Sequence, residues 1–574
     1  MIRQIVKEIW HGQNDKAIFR KGVTLVENIP SSAVIAHERQ SSTSPPTCLA
    51  LGVPLRHNRR TPNLPESEFL QMTDHAANLK ALRAQLAEVS LINGINAVLY
   101  WDQSTYMPSG GAPARGQQLS YIAQLSHQRF TDPALGKLLE ALLPYAESLP
   151  ADSDDAALIR VTHREYTRAT KVPLDLVAEL SQHTAETYHV WVGARPENAF
   201  DRVKPYLEKT LELSRRYAEC FAPFDHLADP LIDSSDYGMK AADIRTLFAE
   251  LRAELVPIAR AITEQAPADD SFLHQHYEPQ DIEKFSLEVI KRYGYDFERG
   301  RLDRTAHPFA IRLNHGDVRI TTRYPKNRLG DPLFSTLHEC GHAMYEQGVS
   351  EAYEGTPLAG GTSSGVHESQ SRLWENVVGR SLGFWQHFYP SLQSIFPQQL
   401  GNVSLDQFYR AVNKVERSLI RTDADEVTYN LHVMIRFDLE LQLLEGRLSI
   451  ADLPEAWHAR YQADLGVRAP DDRDGVLQDV HWYGGLIGGA FQGYTLGNIL
   501  GAQFYAKALE AHPEITAQIG RGEFSTLHAW MRENIYQHGS KYSAPELIGR
   551  TLGKIDIAPY ISYLRGKYGA LYRL

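Results

Sequence analysis

The sequence predicts a mainly α-helical protein that contains one small β-hairpin. Three long segments carry apolar residues three or four positions apart, the spacing that gives a helix one apolar face. These segments span residues 79–95, 244–258 and 427–439. Residues 309–324 instead alternate apolar and polar side chains around a turn, as paired strands do. Because helical periodicity dominates, the mainly α class is expected.

The first part of the chain has a different composition. Residues 29–65 are rich in serine and proline, so they bury too little apolar surface to offset the entropy of ordering. We expect residues 1–72 to form a poorly ordered extension and residues 73–574 to form one helical catalytic domain. Met72 stands just before the first strong helix and is a candidate for the natural start. The arginines of the extension are also compatible with a transit peptide.

The overall composition indicates an ordinary globular protein. Of the 574 residues, 43% are hydrophobic and 22% are charged, and a net charge of −11 argues against a nucleic-acid partner. Three cysteines make no disulfide framework, which is typical of a reducing compartment. Charges interrupt residues 1–8, so a secretory signal is not expected there. These features predict a cytoplasmic protein.

The stretch at residues 484–504 is the nearest approach to a membrane span. It is rich in glycine and carries Gln492, Asn498 and Gln503. Such a mixed segment predicts a closely packed core helix rather than a membrane-spanning one. We therefore expect no membrane partner.

The pentapeptide His-Glu-Cys-Gly-His at residues 338–342 predicts a metal site on a helix. Histidines four apart lie on one helical face, with about 5–6 Å between Cβ atoms, so both imidazoles can reach one zinc ion. Glu339 between them is placed to act as a general base. Asp331 is the expected N-cap of this helix, and Gly348 is its expected C-cap. The alternative is a partly buried helix on which the two histidines only form hydrogen bonds.

A catalytic zinc site of this kind needs a third ligand and an open fourth position. Glu368, His367 and Glu375 follow downstream, and spacing alone does not choose among them. The Ser-Ser-Gly stretch at residues 363–365 is expected to cap their helix, which should continue beyond Arg372. Arg372 lies four residues after Glu368 and either holds its carboxylate or occupies a solvated helix face.

The predicted β-hairpin lies just upstream of the metal helix. Residues 309–313 and 318–324 are its expected strands, joined by a turn at 314–316. An edge strand there could pair with an extended peptide through backbone hydrogen bonds. The alternative is a purely structural hairpin, and the sequence favours neither.

Several motifs follow one another in a fixed order along most of the chain. They are Trp-Asp-Gln at 101–103, Met-Pro at 107–108, His-Pro-Phe at 307–309, Asp-Val-Arg-Ile-Thr at 317–321, the pentapeptide, His-Glu-Ser-Gln at 367–370, Ile-Arg-Thr-Asp-Ala-Asp at 420–425 and Gly-Val-Leu-Gln-Asp-Val-His-Trp at 475–482. With these motifs the chain resembles the carboxypeptidase Taq family of zinc metallocarboxypeptidases. The resemblance begins at residue 101 and extends to the C-terminus.

The resemblance implies an almost wholly helical fold with two lobes around a deep groove, similar to angiotensin-converting enzyme and neurolysin. It implies a homodimer that releases single C-terminal residues from peptides with a free C-terminal carboxylate. Specificity would be broad, with a C-terminal proline disfavoured. The cofactor would be Zn²⁺, for which cobalt or manganese could substitute. Relatives begin close to Met72, so the resemblance does not extend to residues 1–71.

The resemblance also selects the catalytic residues. The expected metal ligands are His338, His342 and Glu368. Glu339 would take a proton from the attacking water and pass it to the leaving amine. His481 and Tyr494 are candidate donors to the oxyanion. A core tyrosine whose hydroxyl is satisfied is the alternative for Tyr494.

Removal of a C-terminal residue requires a cation that binds the terminal carboxylate of the substrate. Arg421 is the first candidate, because the planar guanidinium matches a carboxylate. His307 and Gln478 are supporting candidates from their own motifs. The alternative for Arg421 is an ion pair with Asp423 or Asp425 at a helix start.

Two other functions remain open at the level of sequence. An oligoendopeptidase of the same superfamily would cut internal bonds instead of terminal ones. A non-catalytic scaffold stabilised by zinc is the second alternative. Structural zinc sites are usually closed by four cysteine or histidine ligands, whereas this motif supplies Glu339 and an open position.

Overall fold

The computed structural model describes residues 66–574, with side chains described from residue 74. Residues 77–574 belong to one compact unit. Most of the predicted N-terminal extension lies outside the described residues, and the expected boundary at residue 72 falls within the first described helix. The order of residues 1–72 therefore stays a prediction.

Helices make up most of the described chain. The α-helices are α1 (Glu66–Thr105), α2 (Ala112–Phe130), α3 (Pro133–Ser148), α4 (Asp154–Lys171), α5 (Leu174–Ala194), α6 (Phe200–Glu219), α7 (Asp229–Ile232), α8 (Ala241–Thr263), α9 (Pro279–Tyr293), α10 (Gly330–Gly348), α11 (Ser364–Arg372), α12 (Leu382–Ile395), α13 (Pro397–Leu400), α14 (Leu405–Val412), α15 (Tyr429–Leu444), α16 (Leu453–Asp464), α17 (Gln492–Ala511), α18 (Ile515–Ile519), α19 (Ser525–Asn534), α20 (Ala544–Thr551) and α21 (Ala558–Tyr572). A π-helix spans Leu373–Val378, and 3₁₀ turns span Ser109–Gly111, Ser271–His274, Phe297–Arg299, Glu351–Tyr353, Arg421–Asp423 and Tyr536–His538. The three segments predicted from apolar spacing lie mainly in α1, α8 and α15.

One small sheet interrupts the helical structure. Its strands are β1 (Leu302–Arg304), β2 (Ala310–Asn314) and β3 (Asp317–Thr322), in the order β1-β3-β2. β2 and β3 pair antiparallel with Ala310 opposite Ile320, which confirms the predicted hairpin. β1 adds parallel to β3 and was not predicted, because three residues are too short for an alternation signal. The Thr322 hydroxyl donates to the Pro332 carbonyl oxygen at 3.2 Å, which joins the sheet to α10.

Two large hydrophobic cores organise the helices. The first contains residues from α9, α10, α11, α12 and the C-terminal half of α17. The second contains residues from α6, α8, α15, α16, α21 and the N-terminal half of α17. Along α17, Leu496 and Ile499 pack in the second core, whereas Leu500 and Phe504 pack in the first. The two cores and the small sheet confirm the expected mainly helical class.

The glycine-rich stretch at residues 484–504 contributes the first part of α17, which is largely buried. This agrees with the prediction of a core helix. Among the described residues, none of the helices is long and apolar enough to cross a membrane.

Candidate active site

The pentapeptide lies in the middle of α10, as its spacing predicts. The predicted N-cap is wrong, because the helix begins at Gly330 and no side chain caps it. Both Asp331 carboxylate oxygens instead accept hydrogen bonds from Arg323, at 2.9 and 2.8 Å. The predicted C-cap is one residue early, because Gly348 is the last residue of the helix and Val349 is its C-cap.

The next helix, α11, begins as the sequence predicts. The Ser363 hydroxyl accepts the backbone N–H of Val366 at 3.1 Å. The buried carboxylate of Asp236 accepts the N–H of Gly365 at 2.7 Å, so a second group from a distant segment satisfies this terminus. A Cβ at Gly341 would lie only 2.5 Å from the Gln370 carbonyl oxygen. The glycine of the pentapeptide therefore allows α10 and α11 to approach closely.

This approach brings the three predicted metal ligands together. Ligand atoms of His338, His342 and Glu368 all lie within 4.8 Å of one another. Nε2 of His338 is 3.8 Å from Oε2 of Glu368, and Nε2 of His342 is 3.5 Å from the same oxygen. Two imidazole nitrogens and a carboxylate oxygen make the His₂Glu donor set of catalytic zinc sites. The residues present therefore fit a bound zinc ion.

Both histidines are held through their other ring nitrogen. Nδ1 of His338 lies 2.9 Å from Oε2 of Glu375, and Nδ1 of His342 lies 2.7 Å from Nδ1 of His367. The two residues that spacing left as rival ligands are thus hydrogen-bond partners of the ligands. These contacts turn both Nε2 atoms toward Glu368, as metal coordination requires.

Glu375 lies where the helix changes its winding. The predicted continuation beyond Arg372 is a π-helix, Leu373–Val378, rather than an α-helix. Short π-helical segments occur frequently at functional sites. Oε1 of Glu375 accepts a hydrogen bond from Arg380 at 3.2 Å. Glu375 therefore connects the metal site to Arg380 from within the π-helical segment.

Arg372 holds the third ligand. Its Nε donates to Oε1 of Glu368 at 2.7 Å, and its Nη1 donates to Oε2 of Glu375 at 3.3 Å. Burial alone would raise the pKa of Glu368, but Arg372 and the two histidines outweigh burial and lower it well below the ordinary value. Of the two readings left open for Arg372, the solvated face is wrong.

Glu339 lies between the two histidines in the sequence, and its side chain is buried. Burial raises its pKa to about 7, with Glu368 and Glu375 adding to the shift and His338 opposing it. A carboxyl group with a pKa near neutrality can accept and return a proton with little bias. This is the property that the predicted general base needs.

A second polar group surrounds Arg421, which is only 8% exposed. Its Nε donates to Oδ2 of Asp479 at 2.7 Å, and its Nη1 donates to the hydroxyl of Tyr429 at 3.0 Å. The expected alternative, an ion pair with Asp423 or Asp425, is wrong. The Asp425 carboxylate instead accepts backbone N–H groups at the approach to α15.

Two further predicted residues extend this second group. Nδ1 of His481 hydrogen-bonds Oδ1 of Asp479, and its Nε2 lies 3.2 Å from the hydroxyl of Tyr494. Cζ of Arg421 lies 5.1 Å from the Tyr494 ring centroid. The structure therefore brings Arg421, His481 and Tyr494 together around Asp479.

Comparison with known proteins gives the family. Residues 81–568 match the family model described as carboxypeptidase Taq (M32) metallopeptidase. The chain belongs to this family. Thermostable carboxypeptidase 1 of Thermus thermophilus is 44% identical over 512 residues, which cover 87% of this chain and 100% of that protein. Carboxypeptidase 1 of Bacillus subtilis is 36% identical over 494 residues, covering 85% and 97%.

A solved structure agrees with this assignment. The M32 carboxypeptidase of Deinococcus radiodurans superposes with a TM-score of 0.85 at 50% sequence identity. The match covers 87% of this chain and 100% of the other. The resemblance inferred from the motifs is therefore confirmed, and the chain is a metallopeptidase of the carboxypeptidase Taq family.

Gln478 and His307, the two supporting candidates for substrate binding, lie in different places. Oε1 of Gln478 accepts the backbone N–H of Arg421 at 3.0 Å and a guanidinium N–H of Arg436 at 2.9 Å. Gln478 therefore supports the segment that carries Arg421. His307 is exposed between β1 and β2. Substrate contacts for Gln478 and His307 stay predictions.

Sequence reasoning missed the residues that support the site. Asp479 lies inside a recognised motif, two residues before His481, and its acidic side chain was a usable signal. Tyr429 and Asp236 gave no such signal. Asp236 meets α11 only through the tertiary fold, with 129 residues separating it from Gly365.

Proposed function

We propose that this protein is a zinc-dependent metallocarboxypeptidase that releases single C-terminal residues from peptides with a free terminal carboxylate. The observation that carries the proposal is a continuous buried connection from Glu368 through Arg372 and Tyr429 to Arg421. The Arg372 guanidinium lies 4.4 Å from the Tyr429 ring centroid, and the Tyr429 hydroxyl accepts from Arg421. A metal site and a buried cation are thereby held at a fixed separation.

The donor set supports zinc as the metal. His338, His342 and Glu368 would hold the ion, and Zn²⁺ prefers this mixture of nitrogen and oxygen ligands. Cobalt or manganese could replace it, since imidazole and carboxylate also bind these metals. When bound, the ion would supply a Lewis acid that polarises the scissile carbonyl and lowers the pKa of water.

Glu339 would handle the proton. Its carboxylate would take a proton from the attacking water and return it to the leaving amine. The raised pKa supports this role, because the same group must act first as base and then as acid. General acid–base catalysis of this kind typically contributes about 10²–10⁴-fold to the rate.

Arg421 would bind the terminal carboxylate of the substrate. Asp479 and Tyr429 hold two of its nitrogens, which orients the planar guanidinium before substrate arrives. His481 and Tyr494, joined at 3.2 Å, would donate to the oxyanion that develops on the scissile carbonyl. The family motifs support Arg421 and His481, a more distant similarity to angiotensin-converting enzyme supports Tyr494, and the contacts around Asp479 support all three.

The remaining properties rest on the family resemblance. We propose broad specificity with a C-terminal proline disfavoured, a homodimer and a cytoplasmic location. His307 and Gln478 would assist in binding the substrate. Sedimentation velocity tests the homodimer directly, and a monomer at micromolar concentration would contradict it.

Replacement of Glu339 by glutamine tests catalysis against the non-catalytic scaffold. We expect the Glu339→Gln variant to bind zinc as wild type does and to lose at least about 100-fold in peptide hydrolysis. Zinc content by atomic absorption and hydrolysis rates of the two proteins measure both properties. A wild-type protein that binds zinc without hydrolysing any peptide would favour the scaffold. Internal cleavage by the wild type would favour the oligoendopeptidase.

A further inference from the structure

The two ligand histidines are held by different kinds of partner. His338 contacts a carboxylate, Glu375, directly. His342 contacts a second histidine, His367, whose Nε2 lies 2.8 Å from Oε1 of Glu346. His342, His367 and Glu346 thus form a chain of two imidazoles that ends in a carboxylate.

The carboxylate determines where each proton lies along this chain. An ionised Glu346 can only accept a hydrogen bond, so Nε2 of a neutral His367 must carry the hydrogen. Nδ1 of His367 then has a lone pair and accepts Nδ1–H of His342. This leaves the lone pair of His342 on Nε2, the atom that lies 3.5 Å from Glu368. The opposite arrangement would place a hydrogen on the nitrogen that has to bind the metal.

The position of His367 is closely defined by its neighbours. A Cβ at Gly361 would lie 2.6 Å from Cδ2 of His367 and 2.8 Å from the Tyr345 ring, so the imidazole fits against bare backbone. The backbone N–H of Gly361 donates to Oε1 of Glu346 at 3.1 Å, the same oxygen that His367 contacts. The segment at 361 therefore shapes the site for the imidazole and holds the carboxylate.

We propose that His367 and Glu346 are positioning residues that fix the tautomer of His342 and present its Nε2 to the metal. They act only through His342 and do not touch the ion. Partners of this kind typically change metal affinity by 10–100-fold when they are removed. The inference rests on a metal bound by His338, His342 and Glu368, as proposed above.

The zinc dissociation constant, measured by competition with a chromophoric chelator, tests the proposal. We expect His367→Phe, which keeps a ring but removes the acceptor, to weaken zinc binding by 10–100-fold. His367→Gln restores an oxygen acceptor and is expected to recover part of the loss. Glu346→Gln is expected to weaken binding by a smaller factor, because an amide can both donate and accept.

Two matched controls separate this effect from general damage. His528→Phe removes an imidazole that packs against Trp374 and Tyr536 in the same core. Glu354→Gln neutralises a carboxylate that pairs with Arg312, whose Nε also lies 3.6 Å from Oε2 of Glu346. Both controls should keep the wild-type zinc affinity. Thermal unfolding of each metal-free variant reports whether it folds.

The visible absorption spectrum of the cobalt-substituted proteins gives a second readout. Loss of the hydrogen bond between His367 and His342 should alter the visible absorption bands of cobalt in the His367→Phe variant. The bands of both control variants should match those of the wild type. Zinc affinity within twofold of wild type in His367→Phe, or equal losses in His367→Phe and His367→Gln, would overturn the proposal. His342→Ala tests the metal site separately from the role of His367. Unchanged zinc binding in this variant would contradict the proposed metal site itself.

Discussion

The hydroxyl of Tyr429 accepts a hydrogen bond from Nη1 of Arg421 at 3.0 Å. The ring of Tyr429 also contacts Arg372, whose guanidinium carbon Cζ lies 4.4 Å from the ring centroid. Tyr429 therefore stands between the arginine that holds Glu368 and the arginine proposed to bind the substrate carboxylate. Because Tyr429 is only 7% exposed, the separation of the two groups is set inside the protein.

The first prediction concerns Arg421. We expect Arg421→Ala to lower kcat/KM by about 100-fold on peptides with a free C-terminal carboxylate, the scale of a strong charge-assisted hydrogen bond. Turnover of C-terminally amidated peptides should fall much less. Asp479 keeps Arg436 at 3.2 Å as a partner, so the variant is not left with an isolated buried charge.

Arg421→Lys is the matched variant, because it keeps the charge and removes the planar fork. Its loss on free-carboxylate peptides should be intermediate. Equal losses on free and amidated peptides in Arg421→Ala would exclude the proposed role. Steady-state kinetics on paired peptides make the comparison.

The second prediction concerns the hydroxyl of Tyr429. Tyr429→Phe keeps the ring beneath Arg372 and removes only the hydrogen bond to Arg421. Since a hydrogen bond to a charged group contributes about 1.5–3 kcal/mol, KM for free-carboxylate peptides should rise by roughly 10-fold or more. Zinc affinity should not change. A variant with wild-type KM would show that this contact does not orient Arg421.

The third prediction concerns stability and pH. Burial and the nearby Arg532 lower the pKa of His528 from 6.5 to about 4. Between these values the unfolded chain binds the proton more readily than the folded one, so the free energy of unfolding decreases as pH falls from 6.5 to 4. At about 1.4 kcal/mol per pKa unit, the loss from this group approaches roughly 3 kcal/mol.

Chemical denaturation of the metal-free protein at pH 5 and pH 7 measures this dependence. Metal-free protein is needed because metal binding itself varies with pH. The His528→Phe variant should show a smaller difference between the two pH values than wild type. An identical difference in both proteins would contradict the assignment to His528.

The metal ligands on α10 were predictable because their geometry is local. Histidines four apart share a helical face wherever the segment is helical, and the apolar spacing around residues 333–345 indicates a helix. The third ligand was different. Its distance from the pentapeptide depends on how closely α10 and α11 pack, so the family motif was needed to select Glu368 over His367 and Glu375.

The contacts that went wrong depend on long-range packing. Arg421 has two aspartates within four residues, yet it pairs with Asp479, which is 58 positions away. Asp331 stands at a helix start, but Arg323 offers a two-pronged partner that the local pattern does not reveal. The π-helix at residues 373–378 has no signature in the apolar periodicity. Local sequence predicts helices and turns better than it predicts which charges meet.

The most direct test of the central claim is mass spectrometry of a mixed peptide library after incubation with zinc-loaded protein. Half of the peptides should carry a free C-terminal carboxylate and half the same sequences with a C-terminal amide. We predict ladders shortened one residue at a time from the C-terminus in the free-carboxylate set, with little change in the amidated set. Internal fragments, or equal cleavage of both sets, would contradict the account.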